Sequence, residues 1–102
     1  MTYETNDGWA ALADQTRRSI VMLLADSEMA VGQIAAQMPI SQPAVSQHLK
    51  VLKEAGLVSD RPQGTKRIYR LNEAGVAALR DQLETFWKRT MSSFETTMKE
   101  DS

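Results

Sequence analysis

The stretch Ser41-Gln42-Pro43-Ala44-Val45-Ser46-Gln47-His48-Leu49-Lys50-Val51-Leu52-Lys53-Glu54-Ala55-Gly56 carries both ends of a helix and two chemically opposite faces. Ser41 is a residue type that caps helix N-termini, and Pro43 falls in the first turn, where its missing amide proton leaves no bond unmade. Val45, Leu49, Leu52 and Ala55 recur at steps of three and four and form one apolar face. Gly56 supplies the left-handed residue that ends such helices. On the other side Gln42, Ser46, Lys50 and Lys53 follow one another at helical spacing, flanked by Gln47 and His48.

Upstream of this helix, Val31, Ile34, Ala35 and Met38 repeat at i, i+3, i+4 and i+7 and predict a short helix stopped by Pro39. Two short helices joined through Pro39-Ile40-Ser41 form a helix-turn-helix unit. Further back, Ser27-Glu28-Met29 reads as a turn. Asp14 caps a helix running to about Asp26, with Ile20, Val21, Leu23 and Leu24 as a broad apolar face. Trp9 and Leu12 mark one more short helix over 8–13.

Downstream, Leu57-Val58-Ser59 and Lys66 to Leu71 are strand candidates joined through Arg61-Pro62-Gln63-Gly64-Thr65, a β-hairpin. Tyr69 and Leu71 share one strand face and are expected to anchor the hairpin to the core. Asn72 caps a last helix from Glu73 to about Glu100, whose apolar residues are Val76, Leu79, Leu83, Phe86, Trp87, Met91, Phe94 and Met98, interrupted by Thr90. That stripe, about seven turns long, exceeds what a lone surface helix needs. The expected fold is mainly α with a small β-hairpin wing, in the order α-α-α-α-β-β-α. It forms a single domain over 1–102, with the helix-turn-helix at about 31–55, the wing at 57–71 and the last helix at 73–100.

The chain has 102 residues, a net charge of −1 and no cysteine. Disulfides and thiolate-ligated metals are excluded. The N-terminal residues Met1 to Asp7 lack the basic start and apolar run of a signal peptide, and the apolar stretch Ile20 to Ala25 is too short to cross a membrane. A cytoplasmic protein is the expectation. A domain this small buries a modest core, so a second copy of itself is a source of stability.

The charge is unevenly placed. Between Ser41 and Arg70 six basic residues (Lys50, Lys53, Arg61, Lys66, Arg67, Arg70) stand against Glu54 and Asp60, a net +4 that leaves −5 elsewhere. Such a segment would hold phosphate on one side of an acidic body. Glutamine can pair with adenine, serine is permissive, and lysine favours guanine or phosphate, so the outward row suits base edges in a major groove. The helix N-terminus adds free amides and partial positive charge. An ordinary solvated helix face would use the same residue types. The hairpin tip, with Thr65, Lys66 and Arg67, is suited to backbone phosphates or the adjoining minor groove.

Ala11-Leu12-Ala13-Asp14-Gln15-Thr16-Arg17-Arg18, the stretch Ser41 to Leu52, Glu54-Ala55-Gly56-Leu57-Val58 and Gly64 to Leu71 together resemble the ArsR/SmtB family of bacterial winged helix-turn-helix repressors. The match runs from about residue 9 to 72 in one register. Gln15 departs from it, because family members often carry proline there.

The resemblance implies a homodimer built through the first and last helices, with Trp9, Leu12, Leu79, Leu83, Phe86, Trp87, Met91 and Phe94 at the interface. It implies an inverted-repeat operator of double-stranded DNA, with half-sites one helical turn apart. Carried over by position, Ser41, Gln42, Ser46, Gln47, His48, Lys50 and Lys53 would meet bases or nearby phosphates, and Thr65, Lys66 and Arg67 would sit on the wing. Family members mostly repress transcription by occluding promoters.

Family sensor sites use cysteines before the recognition helix, or histidine and acidic ligands in the last helix. Here the first set reads Ile34-Ala35-Ala36-Gln37. The last helix has no histidine, and Glu73, Asp81, Glu84, Glu95 and Glu100 are too hard a set for tight zinc. No metal and no cofactor are expected. An effector ligand between the first and last helices, or a protein partner, stays open, as does plain dimer packing of Trp9, Phe86, Trp87, Met91 and Phe94. With one histidine, no cysteine and no glycine-rich phosphate loop, catalysis is not expected. The alternative reading is a winged-helix interaction module that never touches DNA.

Overall fold

Three local devices fix the helices. The Asp14 carboxylate accepts the Arg17 amide at 3.1 Å and caps one helix, and the Ser41 hydroxyl accepts the Ala44 amide at 3.2 Å and caps another. The Gln33 side chain reaches back to the Ala30 amide at 2.8 Å and steadies a third. The computed structural model describes residues 7–101, with side chains described for 8–97. Its elements are α1 (Asp7–Ala11), α2 (Gln15–Asp26), β1 (Met29–Ala30), α3 (Val31–Ala35), α4 (Gln42–Glu54), β2 (Val58–Gln63), β3 (Lys66–Leu71) and α5 (Glu73–Asp101). The signal-peptide reading of Met1 to Asn6, and the Met98 and Glu100 side chains, lie outside the described residues.

The architecture is mainly helical with an antiparallel three-stranded sheet in the order β1-β3-β2. Ile20 of α2, Ile34 of α3, and Val45, Leu49 and Leu52 of α4 are fully buried together. At about 1.5–3 kcal/mol for each such side chain, this cluster is what holds the two short helices against α2. Tyr69 and Leu71 pack on the same core, as expected for the wing's anchor.

Four local expectations are corrected. The first helix ends at Ala11, and Leu12 and Ala13 close a turn through bonds to Gly8 and Ala10. Met29 is not in a turn: with Ala30 it forms β1, opposite Tyr69 and Ile68 of β3. Two residues are too few for an alternating pattern, so this strand left no period-2 signal. The third helix ends at Ala35 rather than running to Met38, and Gln37 and Met38 bond three residues back in tight turns. Met38 precedes Pro39, whose ring disfavours helical geometry in the residue before it. Finally, β2 continues through Pro62 to Gln63, so the connection is the two-residue Gly64-Thr65 turn. Pro62 is tolerated because β2 is an edge strand. Gly64 has φ 64° and Thr65 does not share the positive φ, as in a type II′ hairpin turn.

The end of α4 is a junction. Gly56 adopts φ 81°, the Gly56 amide donates to the Lys53 carbonyl, and the Leu57 amide donates to the Leu52 carbonyl, each at 3.0 Å. This Schellman arrangement turns the chain into the wing. The Asn72 amide then donates to the Leu57 carbonyl at 2.9 Å, and Gly75 of α5 lies directly against the Gly56 carbonyl. The last helix is thereby seated on the C-terminus of α4.

Beyond that seat α5 leaves the body. Its 29 residues span about 43 Å. The radius of gyration is 17.3 Å, against about 13 Å for a compact chain of this length. Val76 and Leu79 pack on the core, and so does Leu12, which gives two of the expected interface residues a role inside their own protomer. Leu83, Phe86, Trp87 and Phe94 continue the same stripe into solvent, each more than half exposed. Met91 is half-buried. Trp9 meets Phe86 edge-on, with ring centroids 5.4 Å apart. No helix among the described residues is long and apolar enough to cross a membrane.

Candidate nucleic-acid interface

Burial of Val45, Leu49 and Leu52 fixes the rotation of α4, and the opposite face is consequently open. Ser41, Gln42, Ser46, Gln47, Lys50 and Lys53 are all exposed. The N-terminus of α4 carries amides that only Ser41 partly satisfies, so it remains a donor site for an anion. His48 sits differently from the rest of the row. It is half-buried on the side of α4 that meets α2, and its Nδ1 lies 3.4 Å from Arg17 Nη1. A guanidinium can only donate, so Nδ1 accepts there. The Arg17 Nε also donates to the Ala11 carbonyl at 2.6 Å, which ties α1, α2 and α4 together at the flank of the row.

The hairpin carries a second exposed group, Thr65, Lys66 and Arg67. Its register puts Val58, Asp60, Pro62, Arg67, Tyr69 and Leu71 on one face and Ser59, Arg61, Gln63, Lys66, Ile68 and Arg70 on the other. The two faces are pinned by different carboxylates. Asp60 receives Lys53 Nζ of α4 on Oδ1 at 2.9 Å and Arg67 Nε of β3 on Oδ2 at 2.6 Å. Arg61 donates to Glu28, just before β1, at 2.8 Å. Arg67, and then Lys53, hold the Asp60 carboxyl below its usual range by hydrogen bonding, and Arg61 does the same for Glu28.

Three of the six basic residues of the Ser41–Arg70 segment are therefore engaged within the protomer, and Arg70 lies close enough to Glu28 to help stabilise its charge. Lys50, Lys66 and Arg70 are the cations of α4 and the wing that take part in none of these ion pairs among the described residues, and of the three Arg70 alone lies beside a carboxylate that it helps to stabilise. Sequence reasoning counted Asp60 only as a charge and Glu28 only as part of a turn, and assigned neither a partner. The register across Gly64-Thr65 was the signal that could have found the first, because it sets Arg67 diagonally opposite Asp60 on one face. Among the described residues no group of three His, Cys, Asp or Glu is arranged to hold a metal ion.

Comparison with known proteins places this geometry. Residues 14–60 match the model of the bacterial regulatory protein, arsR family. The chain is 55% identical over 94 residues to the HTH-type transcriptional regulator Rv2034 of Mycobacterium tuberculosis, covering 91% of this chain and 88% of that one. It is 42% identical over 67 residues to the transcriptional repressor SdpR of Bacillus subtilis, covering 66% and 74%. A crystal structure described as a "possible transcriptional regulator for arsenical resistance" superposes with a TM-score of 0.75 at 43% identity, over 85% of this chain and 95% of its own. A helix-turn-helix with an open polar face and a basic wing, on a chain so similar to proteins that are named as regulators and not as enzymes, has one reading: the protein is a DNA-binding transcription regulator and belongs to the arsR family of bacterial regulatory proteins.

Proposed function

We propose that this regulator is a cytoplasmic homodimeric repressor, one winged domain per chain, that binds an inverted-repeat operator. In this reading Ser41, Gln42, Ser46 and Gln47 meet base edges or adjacent phosphates, and Lys50, Thr65 and Lys66 meet the backbone. His48, Lys53 and Arg67 border that surface. The observation that carries the reading is the open row on α4 beside an exposed wing tip, held at fixed spacing by a buried apolar face. Support for the dimer comes from α5, whose apolar stripe runs on from the core into solvent through Leu83, Phe86, Trp87 and Phe94. Aromatic side chains of about 150–250 Å² each, more than half open, expose on the order of 450 Å² per protomer together with Leu83. Pairing two copies would bury about twice that, enough for the apolar centre of a standard interface. Similarity to a protein named as a repressor supports the repressor reading.

A mobility shift with the DNA upstream of the protein's own coding region tests this. Lys50 and Lys66 from two protomers give four phosphate contacts and a log–log salt slope of about −3.6. Affinity should then fall roughly 10²-fold between about 50 and 200 mM salt. Absence of any shift, or binding indifferent to salt, would favour the winged interaction module instead.

A further inference from the structure

Asp60 is the least exposed charged side chain in any ion pair of the wing. Its carboxylate is 5% exposed, while Lys53 and Arg67, the two cations over it, are each 54% exposed. Each oxygen has its own partner, one from α4 and one from β3. The carboxylate therefore joins the helix that carries the polar row to the strand that carries the wing tip. Arg61, the next residue, points to the opposite face and is held by Glu28, so β2 is fastened on both sides.

We infer that Asp60 is a positioning and specificity-setting residue: it fixes the wing against α4 and keeps Lys53 and Arg67 from committing to phosphate. The inference rests on the DNA-binding reading and deepens it. Exposed ion pairs are ordinarily worth little and would yield to a phosphate. Here each carboxylate oxygen has its own cation, so moving either cation to DNA would give up a charge-assisted hydrogen bond and uncover a carboxylate beside the like-charged phosphates. While both cations stay on Asp60 neither neutralises a phosphate, whereas two free cations would neutralise two. Fewer counterions are released on any duplex, so sequence-independent attraction is limited and the α4 row decides a larger share of the binding.

The experiment compares the full chain with D60N, R67Q, K66Q and D60N/R67Q on operator and scrambled duplexes across a salt series. D60N should bind scrambled DNA at least tenfold tighter, steepen the salt slope by up to about 3.6 per dimer, and lower the operator-to-scrambled ratio. Adding R67Q to D60N should return about half of that slope. R67Q alone should leave the wild-type slope nearly unchanged, whereas K66Q should reduce it by about 1.8 per dimer. An unchanged ratio and slope in D60N would overturn the inference, and so would an R67Q slope reduced as far as that of K66Q. The R67Q and K66Q comparison decides the matter even if D60N fails to fold. Loss of salt-dependent binding in the wild type would instead refute the DNA-binding reading itself.

Discussion

Leu83→Asp puts a charge into the proposed seam without touching the core. Leu83 is 53% exposed in the protomer, so about half of its side chain is left for a partner to cover. Full burial of a leucine contributes about 1.5–3 kcal/mol, which gives roughly 1 kcal/mol lost per copy and about 2 per dimer. Two helices packed across a two-fold axis lie about 8–10 Å apart. Two carboxylates at about 8 Å repel by about 2 kcal/mol at an effective dielectric of 20. The sum, about 4 kcal/mol, weakens dimerisation roughly 10³-fold. Sedimentation velocity over a wide concentration range should show L83D as a monomer where the wild type is a dimer. Its far-ultraviolet circular dichroism should match that of the wild type, because the substituted side chain already faces water. A variant that sediments as the wild-type dimer would remove α5 from the interface.

Gly75→Ala sets a methyl group against the Gly56 carbonyl, which is backbone and cannot swing away, so stability should fall by about 1–3 kcal/mol or more, read as a lower Tm. An unshifted Tm would mean that α5 is not seated on the end of α4. Gln47→Ala should relax preference at particular base pairs while Lys66→Ala weakens operator and scrambled duplexes alike, and equal losses on every sequence from both would contradict the assigned roles. Asp60 titrates below its unfolded value of about 3.9 because Arg67 and Lys53 favour its charged form, with Tyr69 opposite it on β3. Its contribution is therefore present above the unfolded value and is lost as pH falls through the lower folded value. The urea midpoint of the wild type should consequently drop more on acidification from about pH 5 than that of D60N. Asp14 and Glu28, also depressed, leave D60N some acid sensitivity.

Legibility in the sequence followed the length of each physical signal. The α4 helix could be placed because its cap, its first-turn proline, its buried face and its terminal glycine all lie within sixteen residues and agree. The long stripe of α5 was equally plain. Met29–Ala30 was invisible as a strand because its partner, β3, lies some forty residues away and its pairing is wholly tertiary. Pro62 misled for the opposite reason: a turn-forming residue type sits inside an edge strand, where topology alone removes the conflict. In the site, composition correctly located the basic segment, but counting charges treated Lys53, Arg61 and Arg67 as free. Their pairing with Asp60 and Glu28 depends on strand register and on the approach of α4, neither of which a charge count contains. His48 shows the same limit: its helical position borders the open row, and only the packing of α2 turns its ring toward Arg17.

Hydroxyl-radical footprinting of the wild-type protein on its upstream DNA addresses the central claim most directly. Two α4 helices entering successive major grooves should leave two protected patches on one face of the duplex, centred about 10–10.5 base pairs apart. A single patch, protection without that phase, or none at all would contradict the account.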